Sequence, residues 1–164
     1  MLDNRTQAEV IWVGLSAVKV NCVVSETPLS KSTNSGKLIT DIEEKNAQVA
    51  FYKTNLVKCL PIQDEKIRYP KQSEMKSCSN HLQEEITEFK PKIVFLLGKQ
   101  VADFVNERKS EGLSDNFDYK TIKRDNTVYV PVHHPSYILV YKRKQLDSYI
   151  AGISKIIAAY TYSD

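Results

Sequence analysis

Residues 127–144 read TVYVPVHHPSYILVYKRK, the pattern of a buried strand followed by a turn, a helix and a basic run. The strand stops at a pair of histidines, His133 and His134. Pro135 then suits the first turn of a helix, since its missing N–H would be unpaired there anyway. A histidine held between a strand end and a helix N-terminus lies beside backbone N–H groups that favour negative charge. This stretch therefore predicts an anion-stabilising site at the end of a strand.

Three further short runs are nearly continuously apolar, as strands buried on both faces are, and they comprise residues 8–13, 49–52 and 93–97. Segments with the helical spacing of apolar residues lie around these runs, and they comprise residues 36–46, 73–89, a stretch around Val101, and 141–160. A short edge strand is expected near 119–122. Four buried strands alternating with helices predict one α/β domain over residues 1–164. Its expected form is a three-layer α/β/α sandwich with a central, mainly parallel four-stranded sheet.

In such a sheet the ligand site lies beyond the carboxyl ends of the strands. Four residues each follow a predicted strand, and they are Gly14, Asn55, Gly98 and His134. We therefore expect these four to line one edge. The long polar connection over residues 15–37 is also expected to be functional, because long irregular loops in compact domains usually are.

The composition limits the classes of partner that the protein can have, but it does not identify one. The 164 residues carry a net charge of +3, with 41% hydrophobic and 26% charged residues. A sequence pI near 8.6 permits nucleic acid as a partner without demanding it, because dedicated binders usually exceed about 9. No apolar run approaches the roughly 18 residues of a membrane span, and no apolar signal core opens the chain. We expect a soluble, cytoplasmic monomer without a membrane partner.

The residues at the predicted edge suit one kind of chemistry. The amide of Asn55 can recognise a planar ring with adjacent donor and acceptor groups, and His134 can donate to an oxygen that gathers negative charge. A helix N-terminus beside Ser136 can hold a phosphate. Cleaving a base from deoxyribose uses all three, because the base departs as an anion. Extruding that base from a duplex needs an apolar wedge, for which Ile138 and Leu139 are candidates.

Four segments in this order resemble the uracil-DNA glycosylase superfamily. They are TNLVKCLP (54–61), the predicted helix containing Cys78, EFKPKIVFLLGKQVA (88–102) and HHPSYIL (133–139). The similarity is greatest to the bacterial and archaeal iron–sulfur branches, usually numbered four and five, and it spans nearly the whole chain. It implies an enzyme that hydrolyses the N-glycosidic bond of uracil or a related deaminated base in DNA, in base excision repair.

The resemblance also implies roles for individual residues. The leaving-group histidine corresponds to His134, and the asparagine that recognises the uracil edge corresponds to Asn55. The glycine-led loop after the first strand, which contacts the substrate, corresponds to Gly14, Leu15 and Ser16. TNSGKLI (33–39) is similar to the helix entry that follows that loop. Ser136 corresponds to the family's DNA-phosphate loop. Tyr137, Ile138, Lys142 and Arg143 follow that loop and are also expected to contact DNA.

The chain departs from the family pattern around the substrate. Leu15 stands where many members carry a Glu, Asp or Asn that orients the attacking water, and Asn34 is the nearest match to a later polar residue that can serve instead. Leu29 stands where an aromatic residue stacks on uracil, and Phe51 or Tyr137 is a candidate to compensate. With these changes the sequence does not predict how active the enzyme is.

Of the four cysteines that hold a cluster in the iron–sulfur branches, only Cys59 and Cys78 have counterparts here. The N-terminal CxxC pair is absent, and Cys22 has no paired spacing. An iron–sulfur cluster ordinarily takes four protein ligands. We therefore expect no cofactor and no metal site.

Each assignment has an alternative from the residues alone. Asn55 could cap a turn, Asn34 could cap a helix, and the basic run 142–144 could be a solvated face. Two other functions also remain open. One is a catalytically weak or inactive nucleic-acid-binding protein on the same fold, and the other is an enzyme acting on free nucleosides or nucleotides.

Overall fold

The computed structural model describes residues 7–16, 28–59 and 61–162. Residues 17–27 of the predicted long connection, with Cys22, lie outside the described residues. The strands are β1 (Val10–Ser16), β2 (Phe51–Val57), β3 (Ile62–Gln63), β4 (Lys66–Ile67), β5 (Ile93–Leu97), β6 (Ile122–Arg124) and β7 (Thr127–Val132). The helices are α1 (Asn34–Lys45), α2 (Gln72–Phe89), α3 (Lys99–Val105), α4 (Pro135–Tyr141) and α5 (Leu146–Thr161). None of the helices in these ranges combines the length and the hydrophobicity needed to cross a membrane.

The central sheet has five strands in the order β2-β1-β5-β7-β6. The first four are parallel, and β6 pairs antiparallel with β7 at one edge. The predicted mainly parallel sheet is thus confirmed, but the predicted count of four strands is one too low. The edge strand lies at Ile122–Arg124 rather than at 119–122, because Tyr119 is buried in the core instead.

Successive side chains along each strand pack alternately into two separate hydrophobic cores, one on each face of the sheet. In β1, Val10 and Trp12 join the core under α1, α4 and α5, whereas Ile11 and Val13 join the core under α2 and α3. Both faces are buried, which explains why β1 and β5 are almost continuously apolar. The three-layer α/β/α architecture is confirmed.

Two strands extend further than their apolar runs. β1 continues to Ser16 and β2 continues to Val57, so Gly14 and Asn55 lie within strands rather than after them. The two strands pair in register, with Gly14 opposite Asn55. Backbone pairing continues through the polar residues because it does not depend on side-chain hydrophobicity.

Helix boundaries also differ from the predictions. α1 begins at Asn34 with Thr33 as its N-cap, two residues earlier than expected. The predicted helix over 141–160 begins later, at Leu146, since α4 ends at Tyr141 and a 3-10 turn at Arg143–Gln145 precedes α5. The break lies at Lys142, whose backbone (φ −129°, ψ 26°) is not helical. The basic run therefore lies in the turn between α4 and α5.

Candidate active site

A cavity of about 720 Å³ opens at the carboxyl edge of the parallel strands. It gathers seven of the residues predicted to form the site, which are Gly14, Leu15, Ser16, Leu29, Asn55, His134 and Ser136. They come from loops or strand ends far apart in the chain. The location matches the rule that ligand sites of open α/β sheets lie beyond the carboxyl ends of strands.

His134 caps the N-terminus of α4, and that role fixes its tautomer. The backbone N–H of Ser136 donates to His134 Nδ1 at 3.1 Å, and Ser136 Oγ lies 2.7 Å from the same nitrogen. A backbone N–H can only donate, so Nδ1 carries no proton and the neutral ring holds its proton on Nε2. Burial lowers the pKa of His134 below its usual 6.5. At neutral pH the ring is therefore an uncharged Nε2–H donor.

The neighbouring residue, His133, anchors this strand end in the core. The hydroxyl of Tyr149, which is fully buried, donates to the His133 carbonyl at 2.8 Å, and the Tyr119 hydroxyl lies 2.6 Å from His133 Nδ1. Gly98 packs from the adjacent strand, where its N–H donates to the Val132 carbonyl at 2.9 Å. These contacts hold the backbone that carries the His134 side chain.

Two glycines make room for the functional side chains. A Cβ on Gly14 would lie 2.6 Å from Asn55 Oδ1, so the Asn55 amide occupies the space above Gly14. Gly98 has φ +93°, which other residues rarely adopt, and a Cβ there would lie 3.6 Å from the Cβ of His134. Each glycine thus borders one of the two side chains expected to bind the base.

The sheet order sets the separation of Asn55 and His134. Asn55 lies on β2 and His134 follows β7, with β1 and β5 between them. Three strand spacings of about 4.8 Å put their backbones roughly 14 Å apart. Two inward side chains and one planar base between them can bridge such a gap.

The entry to α1 forms another part of the wall. Thr33 Oγ1 accepts from the Gly36 N–H and donates to the Ser30 carbonyl, both at 3.0 Å. A Cβ on Gly36 would lie 1.8 Å from that carbonyl, so glycine is required for the loop to approach the helix. Thr33 and Ser35 line the cavity, whereas Asn34 is exposed and is not a lining residue. The predicted catalytic role of Asn34 therefore finds no support in its position.

The β3–β4 hairpin supplies a wall that the sequence analysis missed. Its flank contributes Arg68 and Tyr69, and Tyr69 is 78% exposed. Arg68 is held by paired contacts to Glu74 at 2.6 and 2.8 Å, which lower the pKa of that carboxyl to about 2. The hairpin turns at Asp64 and Glu65, both with positive φ and without the glycine or asparagine that usually marks such a turn. The segment therefore carries no turn signal from which the sequence could predict the hairpin.

Tyr69, rather than the two aromatics proposed to compensate for Leu29, lines the cavity. Phe51 is buried in the core and stacks on Trp12 with ring centroids 6.0 Å apart. Tyr137 stacks on His133 at 5.3 Å, outside the cavity lining. The expectation that Phe51 could stack on a base is wrong, because its ring packs under the sheet.

Four of the predicted DNA-contacting residues lie outside the cavity lining, and they are Tyr137, Ile138, Lys142 and Arg143. Ile138 is fully buried in the core beneath α4, so its predicted wedge role is wrong. Lys142 pairs with Asp115 at 3.4 Å. Tyr137 and Arg143 are exposed, and their contact with DNA stays a prediction.

Cys59 and Cys78 are the cysteines that lie in the described ranges. Cys59 is exposed after β2, and Cys78 is half-buried on α2 against the second core. Within the described ranges no three His, Cys, Asp or Glu side chains are grouped so as to hold a metal ion. The three cysteines of the chain are also one fewer than an iron–sulfur cluster ordinarily uses.

Comparison with known families fits the geometry. Residues 10–156 match the uracil DNA glycosylase superfamily, and this range includes every residue that lines the cavity. The chain therefore belongs to the uracil DNA glycosylase superfamily, as its sequence motifs indicated. No curated protein matches the chain.

The tautomer of His134 gives a direct test of the site. Nitrogen-detected NMR at pH 7.5 should show the Nε2–H form, and Ser136→Ala should keep it because the backbone donor remains. Protonation disrupts the Ser136 bond, and the lowered pKa means that this occurs only as pH falls below 6.5. The unfolded chain binds that proton first, so stability should also fall with acidification in this range. An Nδ1–H ring at pH 7.5 would contradict the assignment.

Proposed function

We propose that this protein hydrolyses the N-glycosidic bond of uracil or a related deaminated base in DNA, as a base-excision repair enzyme. Membership of the superfamily supports glycosylase-like chemistry in general. The specific proposal rests on one observation, the hydrogen bond from the Ser136 N–H to His134 Nδ1. This bond leaves Nε2–H as the donor of the ring. A neutral donor in a partly buried cavity suits an oxygen on which negative charge develops.

In the proposed reaction the bond between the base nitrogen and sugar C1′ breaks, and the bonding electrons leave with the base. His134 Nε2–H donates to the base oxygen that takes up this charge, while positive charge develops on the sugar. A water oxygen then bonds to C1′. One water proton completes the departing base or enters solvent, which leaves an abasic sugar with a hydroxyl group.

Asn55 is proposed to select the base. It is 7% exposed and its amide lies against Gly14, so its orientation is set by the strand pair β1–β2. A side-chain amide presents one acceptor and donors side by side, which matches the donor and acceptor edge of uracil. Tyr69 is the aromatic side chain of the cavity wall that could cover the ring of the base.

Among the described residues that line the cavity, none is a carboxylate that could activate the attacking water. Leu15 cannot bind water with its side chain, and Asn34 lies outside the cavity lining. Backbone carbonyls near Leu15 and the hydroxyls of Ser16 and Ser35 are polar groups on that wall, whereas the Thr33 hydroxyl is already bonded to the Gly36 N–H and the Ser30 carbonyl. In the proposed reaction the described residues act mainly by stabilising the leaving group.

The excision assay uses single-turnover cleavage of a uracil-containing oligonucleotide, read as strand breakage at abasic sites. His134→Ala should lower the rate by about 100- to 1,000-fold, the usual effect of losing one donor to a developing anion. His81→Ala is the control, because His81 is an exposed histidine on α2 and should leave the rate unchanged. Equal breakage by His134→Ala and the unmodified protein would remove the proposal.

Gly14→Ala tests the role of Asn55 without touching its chemistry. The new Cβ would meet Asn55 Oδ1, and the amide is the flexible end that can shift. We expect a folded protein whose excision rate falls by about 100-fold, as for a misplaced binding group. Gly112→Ala is the matched control, since a Cβ there has no atom within 4 Å. Unchanged excision by folded Gly14→Ala would exclude Asn55 from base selection.

Leu15 and Leu29 favour a second candidate, a nucleic-acid-binding protein of the same fold without catalytic activity. Both are apolar where a water-orienting and a stacking residue would help catalysis. This candidate predicts salt-dependent DNA binding without release of any base. A screen of uracil, hypoxanthine, xanthine and mismatched thymine substrates separates the two candidates.

A further inference from the structure

Three aromatic rings lie in a row at the start of α4 and along it, and we call this set, His133, Tyr137 and Tyr141, the aromatic ladder. The rings of His133 and Tyr137 are nearly parallel, with centroids 5.3 Å apart and an interplanar angle of 10°. Tyr141 follows at 5.2 Å, tilted by 43°. Tyr137 and Tyr141 are four residues apart on α4, which puts their rings on one side of the helix, and His133 precedes that helix by two residues. None of the three rings lines the cavity.

The ladder is fixed at its inner end and open at its outer end. His133 is 9% exposed and is held through Nδ1 by the Tyr119 hydroxyl. Exposure rises along the stack to 39% at Tyr137 and 72% at Tyr141. A stack with one buried, hydrogen-bonded end is ordered before any partner arrives, so binding to its open end requires little further ordering.

Basic side chains adjoin the open end. Arg143 and Lys144 are exposed in the 3-10 turn that follows α4, and in the described part of the chain neither is paired with a carboxylate. Lys142 is already neutralised by Asp115. Two available cations next to an exposed aromatic ring match the combination that binds single-stranded nucleic acid, in which rings stack on bases and cations contact phosphates.

We propose that the aromatic ladder binds single-stranded DNA beside the base held in the cavity, with an unpaired base stacked on Tyr141 and phosphates at Arg143 and Lys144. The proposal rests on the proposed function for the identity of DNA as the partner. Ser136, at the cavity, precedes Tyr141 by five residues, about 8 Å along the helix axis. That span corresponds to about two stacked nucleotides at 3.4 Å each.

A duplex cannot use this surface in the same way, because its bases are already paired and stacked. We therefore expect the protein to bind single-stranded DNA more tightly than duplex DNA. The charge pattern also favours DNA over a second copy of this chain. A two-fold contact through Tyr141 would bring the Arg143 and Lys144 groups of both copies together, and like charges there repel.

The test measures binding of a fluorescently labelled, uracil-free thymine oligonucleotide by anisotropy, with the full chain. Tyr141→Ala should raise the Kd by about 5- to 150-fold, the range for one lost base–aromatic stack. Tyr141→Phe keeps the ring and should stay within about twofold of the unmodified protein. Tyr160→Ala is the control. Tyr160 is 37% exposed, lies near the end of α5 and is not part of the ladder.

Salt dependence separates the two parts of the proposed surface. Arg143→Gln should reduce the slope of log Kd against log salt by about 1, whereas Tyr141→Ala should leave it unchanged. The thymine duplex with its adenine complement should bind more weakly than the single strand, and Tyr141→Ala should remove this difference. These results together support the ladder as a stacking surface.

Equal Kd values for the unmodified protein and Tyr141→Ala would overturn the ladder proposal. A dimer in sedimentation that Tyr141→Ala dissociates would overturn it in favour of a second copy. Because the probe contains no uracil, the outcome is independent of catalysis. Tyr141-dependent binding without uracil excision would uphold the ladder and remove the glycosylase proposal, whereas excision without Tyr141-dependent binding would do the reverse.

Discussion

The hydrogen bond from the Ser136 N–H to His134 Nδ1 is the interaction on which the site depends. It caps α4, it fixes the orientation of the imidazole, and it determines which ring nitrogen carries the proton. Tyr149 and Tyr119 hold the preceding residue, His133, so the strand end cannot drift away from the cavity. One local geometry therefore links the packing of the core to the chemistry available at the sheet edge.

The order of the strands converts this local geometry into a binding site. β1 and β5 lie between the strands of Asn55 and His134, and a glycine lies at the edge within β1 (Gly14) and directly after β5 (Gly98). Gly14 leaves space for the Asn55 amide, and Gly98 turns the chain beside His134. A larger side chain at either glycine would intrude on a neighbour that the proposed reaction uses. The side chains of Asn55 and His134 thus make the two ends of the cavity polar, and the missing side chains of Gly14 and Gly98 leave the space between them open.

Hydrophobic pattern was enough to predict the central strands, because β1, β5 and β7 are buried on both faces and leave a continuous apolar signal. The convergence of Gly14, Asn55 and His134 followed from the rule for parallel sheets. The extension of β2 through Asn55 was not predictable from hydropathy, since backbone pairing tolerates polar residues there. The burial of Ile138 depends on how α4 packs against α1, which residue order alone does not reveal.

Features carried by tertiary contacts were the ones that the sequence did not disclose. The β3–β4 hairpin has no glycine or asparagine at its turn, so Arg68 and Tyr69 gave no sign that they reach the cavity. The boundary between α4 and α5 at Lys142 is not marked by a glycine or a proline in the sequence. The roles of such side chains depend on the tertiary fold and leave no pattern in the order of residues.

The central claim is that His134 stabilises the negative charge of a departing base. The most direct measurement is the single-turnover excision rate for a series of 5-substituted uracils of increasing acidity, for the unmodified protein and for His134→Ala. If Nε2–H carries part of the developing charge, the rate of His134→Ala should rise more steeply with the acidity of the base than the rate of the unmodified protein. Parallel slopes for the two proteins would contradict the account.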